Sequence, residues 1–475
     1  MTGADPRDQR ISELETLLGA ALGRITSLEA EIGELKARLA QNSSNSSMPS
    51  SADPPGAPRS KQKPTGRKPG GQSGHRGTTR ELLPEEDVNA VVPVLPDQCR
   101  ACSAPLRGRD DAPLRHQVTE LPPMTPVVTE YQCHALTCAR CGTTTRAPLP
   151  IGVPRGAFGI RLTCLVALLT GRFRLSKRMT QEMLSSVLGV EVALGSVSNL
   201  EQQVSASLAQ QVEEARAYVQ RQDVAHLDET GWREALKKAW LWVAVTAQVT
   251  VFLVSESRGS KVAKQLLGAD FTGFLVTDRW SAYGWADLHL RQLCWSRLER
   301  DFKGFVDRGG EGAPLGAALL KQSEQMFEWW HRVRDGTMAR GAFIEHMCVV
   351  EREVGQLLRK ASVCASPKTA GMATEMLKLE AALWTFTQVE GLEPTNNAAE
   401  RAIRPAVLWR KGSFGTHSAA GSRFVERMLS VVATIRQQKR HVLEHLTTSY
   451  AAHLQGKDGP SLLPSAAISR PLAAA

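Results

Sequence analysis

The sequence predicts a multidomain protein. Its α/β core carries a helical insertion and follows a coiled coil, a zinc-ribbon-like module and a helical region. Three observations predict this fold class: a heptad repeat of Ile and Leu near the N-terminus, two Cys-X-X-Cys pairs, and a series of short β-rich segments after residue 220. The chain has 475 residues, 42% of them hydrophobic, which is enough for about three domains.

Charge and cysteine content narrow the class of protein. The net charge of +10 favours a polyanionic partner, although it carries no information about the fold. The nine cysteines include two Cys-X-X-Cys pairs, which point to metal binding rather than to disulfides. The N-terminus lacks the apolar segment of a signal peptide, and the apolar stretch at 162–169 is too short to span a bilayer. We therefore expect a protein of the reducing cytoplasm with no membrane partner.

Residues 8–41 are predicted to form a coiled coil. Apolar residues recur there at spacings of three and four: Ile11, Leu14, Leu18, Ala21, Ile25, Leu28, Ile32, Leu35 and Leu39. Ile recurs at the a positions of the heptad and Leu at the d positions. This pattern favours a parallel two-stranded coiled coil, and hence a homodimer or higher oligomer. The alternative is a single amphipathic helix packed on the rest of the chain.

Residues 42–90 are predicted to be a disordered basic linker. A Ser-, Asn- and Pro-rich stretch leads into 56–80, which contains seven Lys or Arg and no acid, Arg67 and Lys68 among them. Such a cationic arm suits contacts with DNA phosphates or insertion into a groove. The alternative is a solvated linker without a ligand.

Residues 91–150 are predicted to form a zinc-ribbon-like module. Four thiols lie in two Cys-X-X-Cys pairs: Cys99, Cys102, Cys138 and Cys141. Two such pairs can close a tetrahedral thiolate site around Zn²⁺, and the metal would supply folding energy that a small core cannot. Cys133 could replace one ligand.

Residues 155–220 are predicted to be helical and to resemble a helix-turn-helix. The segments 179–188 and 194–204 read as helices on either side of Gly189, and Lys177 and Arg178 come just before the first one. The two basic residues are candidate DNA contacts. A plain helical connector is the alternative interpretation.

The order of elements in 221–310 predicts the first part of a catalytic core. Strands are expected at 224–228, 239–245, 249–255, 271–278 and 289–295, with a helix at 259–268 and another from about residue 296. We interpret this as β-β-β-α-β-α-β, the layout of an RNase H-like α/β layer. In that layout the first and fourth strands are neighbours.

Asp228 and Asp278 end those two neighbouring strands and are expected to project from one edge of the sheet. Two such carboxylates repel each other unless a cation lies between them, and hard oxygen ligands favour Mg²⁺ or Mn²⁺. Two ions of this kind can activate a water or a 3′-hydroxyl and stabilise a leaving 3′-oxygen. Glu229 follows directly and should point to the opposite face of the strand.

A third acid is expected from residues 391–450. Glu400 lies within a predicted helix that starts near Pro394 and ends near Pro405. Arg401 and Arg404 flank it, while Arg410 and Lys411 follow in a basic turn; all four are candidate phosphate contacts. The intervening segment, 311–390, is predicted to be a helical insertion whose Trp residues lie in a core, and 451–475 a disordered tail.

Several segments together resemble the sixty-six family of bacterial insertion-sequence transposases. They are AHLDETGWR, TDRWSAY, QLCW, TNNAAERAIRP and GRKPGGQSGHRG, with the coiled coil, QNSSNSS and the Cys pairs in the same order. The resemblance covers about residues 10–450. It implies a DDE transposase that binds the terminal inverted repeats of its element and joins them to target double-stranded DNA, and it assigns the catalytic acids to Asp228, Asp278 and Glu400. It also implies the nucleoid as location and small companion proteins of the same element as partners.

One segment departs from the family. The family often has Cys-Trp-Ala-His followed by basic residues, whereas this chain has Cys294-Trp295-Ser296-Arg297-Leu298-Glu299. Arg297 is therefore a further candidate phosphate contact. Two alternatives to an active transposase are a DNA-binding regulator whose catalytic core has decayed and an RNase H-like host nuclease. The acid triad favours the enzyme over the regulator, and the zinc-bearing, dimerising N-terminal half argues against the host nuclease.

Overall fold

The computed structural model describes residues 6–40, 42 and 80–464, and the described residues fall into two compact units. One unit covers 59–126 and the other comprises the rest of the chain. Most of the predicted basic linker, including Arg67 and Lys68, lies outside the described residues. None of the helices in the described part is long and apolar enough to cross a membrane.

The smaller unit has little regular structure in its described part. A 3-10 turn spans Glu85–Asp87, and Gln117 holds the backbone of Leu83 through its side-chain amide, at 2.9 Å to the N–H and 2.8 Å to the carbonyl. Apolar side chains such as Val94 and Leu114 are 88% and 98% exposed. The described part of this unit therefore gains little stability from apolar burial.

The larger unit begins with helices and a small hairpin. Its first elements are α1 (Pro6–Leu39), β1 (Ala135–Thr137), β2 (Thr144–Arg146), α2 (Ile160–Gly171), α3 (Lys177–Leu188), α4 (Leu194–Ser207) and α5 (Ala209–Val219). The predicted helix, glycine turn and second helix are confirmed in α3 and α4. Gly189 ends α3 with φ of 64°, a left-handed conformation that glycine adopts without steric cost.

The central elements form the sheet and its connections. They are β3 (Val224–Glu234), β4 (Lys237–Val245), β5 (Thr250–Ser255), α6 (Ser260–Leu267), β6 (Phe274–Thr277) and β7 (Arg291–Leu293). The sheet order is β5-β4-β3-β6-β7, with β3, β4 and β5 antiparallel and β3, β6 and β7 parallel. The expectation that the first and fourth strands are neighbours is confirmed.

The remaining elements are helical. They are α7 (Trp295–Asp307), α8 (Gly312–Arg334), α9 (Arg340–Ser362), α10 (Pro367–Leu377), α11 (Thr385–Gln388), α12 (Asn397–Ser413), α13 (Ala419–Gln437) and α14 (Val442–Leu454). The segment 311–390 is helical as predicted, and Trp330 and Trp384 are buried in its apolar core with Phe343 and Phe386.

Three details differ from the predicted layout. No α-helix connects β6 to β7; two 3-10 turns, Ser281–Tyr283 and Leu288–Leu290, do so. The last strand is shorter than expected, because Trp295 already begins α7. The strand of Asp228 continues to Glu234, since β4 pairs with it antiparallel along the whole of that length.

Alternation along β3 separates two faces of the sheet. Ala225 and Leu227 pack into a core with α2, α4, α13 and α14, whereas Trp232 packs into a second core with α12. Because successive side chains of a strand point to opposite faces, Asp228 shares the face of Trp232, on the side of α12. This places Asp228 within reach of the helix that carries Glu400.

Candidate active site

Asp228 and Asp278 occupy equivalent positions on the two parallel strands. His226 on β3 pairs with Val276 on β6. Asp228 lies two residues after His226, and Asp278 lies two residues after Val276, just beyond the end of β6. The sequence expectation that both acids lie at one place on the sheet is therefore met. Asp228 lies within β3 rather than at its end, at the point where β6 stops and leaves that side of β3 open.

Hydrogen bonds fix the turn that carries Asp278. Its Oδ1 accepts from the backbone N–H of Trp280 at 2.8 Å, and its carbonyl accepts from Nη2 of Arg291 at 2.8 Å. Arg291 is 1% exposed, and its Nε also donates to Oγ1 of Thr277 at 3.1 Å. A buried guanidinium thus anchors the turn between β6 and the first 3-10 segment.

Asn396 fastens the start of α12 to β3. This residue is 2% exposed and precedes the helix, yet its side chain does not cap the helix. Its Nδ2 donates to the carbonyl of Leu227 at 2.6 Å, its Oδ1 lies 3.2 Å from Nδ1 of His226, and its backbone N–H donates to Sγ of Cys294 at 3.2 Å. Its carbonyl accepts from the N–H of Glu400 at 3.1 Å. Sequence reasoning missed Asn396 and His226, although an Asn directly before a predicted helix is a recognisable signal.

Arg297 connects two of the three acids. Its Nε lies 2.9 Å from Oε1 of Glu400, and its Nη2 lies 3.7 Å from Oδ2 of Asp228. Arg300, one turn further along α7, lies 3.8 Å from the same Glu400 oxygen. The arginines that contact Glu400 therefore come from α7, whereas its neighbours Arg401 and Arg404 on α12 are exposed. Arg300 was not identified from the sequence.

The surroundings of Asp228 make its ionised form less favourable when no further cation is bound. Burial raises the pKa of Asp228 to about 7, the positive charge of Arg297 opposes this, and the negative charges of Glu229, Asp278 and Glu400 add to it. Like-charged carboxylates held close together behave in this way. A divalent cation between the acids would reverse the effect and keep them ionised.

The donor chemistry fits Mg²⁺ or Mn²⁺, but the arrangement of the side chains is that of an arginine-bridged cluster. Carboxylate oxygens are the ligands that both ions prefer. Within the described part of the chain, no group of three or more His, Cys, Asp or Glu side chains is close enough to hold a metal ion. Asp228 and Glu400 contact the guanidinium of Arg297 instead, so a metal would require that side chain to move.

Glu229 belongs to a separate network, as alternation along the strand predicts. Its side chain accepts from the hydroxyl of Tyr283 and pairs with Arg258 at 2.7 Å. The guanidinium of Arg258 in turn lies over the ring of Trp280, 4.0 Å from its centroid. Burial raises the pKa of Glu229, and the hydrogen bond from Tyr283 opposes that shift. This network supports the turn after Asp278 from the opposite face of the sheet.

The structure corrects the expectation for Arg410 and Lys411. The helix α12 runs through Pro405 to Ser413, so both residues lie in its last turn rather than in a turn after Pro405. Arg410 donates to Oγ1 of Thr230 at 3.0 Å and to the carbonyl of Gly231, which makes it a brace between α12 and β3. Lys411 is exposed.

The two basic residues at the start of α3 differ in their surroundings. Nζ of Lys177 lies 3.1 Å from Oε2 of Glu201 and 2.6 Å from Oγ of Ser198, so it ties α3 to α4. Arg178 is exposed and remains a candidate DNA contact.

Each Cys pair forms the same backbone turn within its own unit. The N–H of Cys99 donates to the carbonyl of Ala104 and its carbonyl accepts from Ser103, both at 2.9 Å; Cys138, Thr143 and Gly142 repeat this pattern at 2.9 Å. The residue after the second Cys has a positive φ in both turns, 57° at Ser103 and 72° at Gly142. Hydrogen bonds from neighbouring backbone groups lower the pKa of Cys99, and hydrogen bonds from Thr143 lower that of Cys141.

Comparison with known proteins assigns the chain to a family. Residues 158–423 match the transposase IS66 family, and residues 3–81 match a family of unknown function, DUF6444. An uncharacterised protein of Sinorhizobium fredii, y4qI, is 24% identical over 241 residues, which cover 46% of this chain and 44% of that protein. The chain thus spans less than half the length of this relative. The first match takes in more than half of the chain, including Asp228, Asp278 and Glu400, and the chain belongs to the IS66 family of transposases.

Proposed function

We propose that this chain is a DDE transposase with an RNase H-like core, which cleaves DNA at the ends of its element and joins them to target DNA. The observation that carries the proposal is the bridge of Arg297 between Asp228 on β3 and Glu400 on α12, together with the position of Asp278 just after β6, the strand paired with β3. Asp228 and Glu400 contact one guanidinium, and Asp278 is close enough to raise the pKa of Asp228. Such convergence of acids from distant parts of a chain is typical of phosphoryl-transfer sites.

The three acids would act together as ligands of divalent cations. Asp228 and Asp278 would hold cations on the open side of β3, and Glu400 would complete the ligand set from α12. Divalent cations bound there would activate the attacking water or 3′-hydroxyl and stabilise the leaving 3′-oxygen. The network of Arg291 and Trp280 would keep Asp278 in place while DNA binds.

DNA contacts are proposed on the exposed basic residues around the site. Arg401 and Arg404 lie exposed on the helix of Glu400, and Lys411 lies exposed at its end. Guanidinium groups bind phosphates in a bidentate manner, which suits positioning of the scissile strand. Arg178, at the start of α3, would contact DNA further from the acids if α3 and α4 act as a helix-turn-helix.

The N-terminal part is proposed to recognise element ends and to dimerise. Each Cys pair presents two thiols in a tight turn, and the pKa of one thiol in each pair, Cys99 or Cys141, is lowered, which suits thiolate ligands of Zn²⁺. The helix α1 would form a coiled coil with a second copy. Small companion proteins of the same element are proposed as further partners.

Cleavage of the element's own end DNA with Mg²⁺ tests the proposed function. We expect Asp278→Asn to reduce strand cleavage by a factor of about 1,000 or more, since an amide binds divalent cations far more weakly than a carboxylate. Binding of end DNA should remain within about twofold of wild type, since the amide keeps the size of the side chain. Asp270→Asn, which changes an exposed acid outside the site, is the matched control and should cleave as wild type does. If Asp278→Asn still cut element ends with Mn²⁺, the assignment of this residue would be wrong.

A further inference from the structure

The guanidinium of Arg297 bridges two of the three acids that are proposed to hold metal. Its guanidinium is 2.9 Å from Glu400 and 3.7 Å from Asp228, and its side chain is 32% exposed. The guanidinium is thus held by the same carboxylates that are proposed to bind metal.

The helix that carries Arg297 does not stabilise its positive charge. It is the third residue of α7, which begins at Trp295, two residues after the end of β7. The N-terminus of a helix carries partial positive charge and disfavours a cation in the first turn. The helix therefore contributes nothing favourable to this charge, and the acid cluster is what stabilises it.

We propose that Arg297 is an internal counter-cation that competes with divalent metal for Asp228 and Glu400. In the metal-free protein it neutralises the cluster and keeps the carboxylates from repelling one another. Metal loading displaces the guanidinium, which is exposed enough to turn outwards and contact a DNA phosphate. The inference rests on the proposed function, because it takes these acids to be the metal site. It adds that Arg297 weakens metal binding as long as its guanidinium contacts Asp228 and Glu400.

Metal affinity tests the competition directly. Mn²⁺ is titrated into the full-length protein without DNA and followed by electron paramagnetic resonance of the free ion. We expect Arg297→Gln to bind Mn²⁺ at least about tenfold more tightly than wild type, equivalent to about 1.4 kcal/mol. Arg352→Gln removes the same charge from an exposed position on α9 and is the matched control, with an expected change of less than about twofold. Equal or weaker Mn²⁺ binding by Arg297→Gln would overturn the proposal.

Thermal stability gives a second readout that does not depend on catalysis. In EDTA, Arg297→Gln should lower the melting temperature by about 3 °C or more, since the acids lose their counter-charge. Saturating Mn²⁺ should raise the melting temperature of this variant more than that of wild type. An Arg297→Gln variant as stable as wild type in EDTA contradicts the inference.

A second variant covers the case in which Arg297→Gln does not fold. Lys carries the same charge but cannot bridge two carboxylates as a planar guanidinium does. Arg297→Lys should therefore bind Mn²⁺ more tightly than wild type, and equal affinity would count against the competition. The Asp278→Asn cleavage assay separates the two proposals: cleavage by that variant overturns the catalytic assignment, whereas the order of Mn²⁺ affinities decides the role of Arg297.

Discussion

At the scale of single residues, Asn396 links the strand that carries Asp228 to the helix that carries Glu400. Its side-chain amide bonds to the carbonyl of Leu227, one residue before Asp228, while its own carbonyl accepts from the N–H of Glu400. Two hydrogen bonds thus relate a strand acid to a helix acid that lies 172 positions further along the chain. The amide of a buried Asn has little freedom, so the backbones that carry the two acids are held together before any ligand binds.

Removal of this amide should affect turnover more than DNA binding. We expect Asn396→Ala to lower kcat for strand cleavage by about 10-fold or more with little change in KM, because Glu400 is displaced and DNA contacts remain. The loss of a buried partner for the Leu227 carbonyl should also cost about 1–3 kcal/mol of stability. Steady-state cleavage kinetics and urea unfolding measure the two effects.

The neighbouring Asn397 provides the control. It begins α12 with an exposed side chain, so Asn397→Ala should leave both kcat and KM within about twofold of wild type. Equal losses in both variants, or a fall in binding alone for Asn396→Ala, would mean that Asn396 does not position Glu400.

At the scale of elements, α13 closes the free edge of the sheet. The edge strand β5 directs the N–H groups of Thr250, Phe252 and Val254 outwards, a pattern that leaves donors open to other chains. Three side chains spaced by four along α13 accept them, Thr434 Oγ1 at 3.0 Å, Ser430 Oγ at 2.8 Å and Glu426 Oε1 at 2.6 Å. The helix thus takes the place of a sixth strand by means of its polar face.

Glu426 makes this edge sensitive to pH. Burial raises the pKa of Glu426 to about 7, against the lowering effects of the Val254 N–H and nearby arginines. Because the folded state holds the proton more tightly than the unfolded chain, the stabilising effect is present below the ordinary pKa and is lost as pH rises through about 7. Above that pH the folded protein has to keep a poorly solvated carboxylate.

Glu426→Gln should therefore stabilise the protein at pH 8 but not at pH 5. The amide oxygen still accepts from Val254, and no charge has to be buried. We expect a gain of about 1 kcal/mol at pH 8, less than the full pKa shift corresponds to, because the side chain is partly exposed. Urea unfolding at both pH values measures the difference. A gain of the same size at pH 5 would show that ionisation of Glu426 is not the cause.

Element types could be predicted from the sequence, whereas several boundaries and contacts could not. The short, continuous apolar run at 239–245, rich in Val and Trp, indicates a strand without reference to the rest of the chain. The continuation of β3 past Asp228 depends on pairing with β4. The helix α12 continues through Pro405 although a proline has no N–H to donate to the carbonyl of Arg401. Because Arg401 is exposed, that carbonyl can bond to solvent instead. The pairing of Glu400 with Arg297 was not predictable, since 103 positions separate them; the spacing rule favoured Arg404, four residues away.

At the scale of the whole molecule, α1 presents an apolar face that no other described residue of the chain covers. Leu18, Ile25 and Ile32 are 60%, 51% and 49% exposed, and they recur every seven residues. Large apolar side chains at this spacing gain stability when a second helix packs against them. The proposed transposase would need two copies to process two element ends, and α1 is the element best suited to join them.

A charge on that face should separate the copies. We expect wild type to run as a dimer or larger at micromolar concentration and Ile25→Glu to run as a monomer, because a carboxylate at a core position would be buried without a partner. Light scattering after gel filtration measures the mass of each. Ser27→Glu adds the same charge to α1 at an exposed position two residues away, outside the heptad core, and should remain associated. A monomeric wild type, or an Ile25→Glu variant of unchanged mass, would remove α1 as the interface. Dissociation should also weaken joint binding of two element ends while leaving the binding of one end intact, since the DNA contacts proposed for each copy lie in other segments.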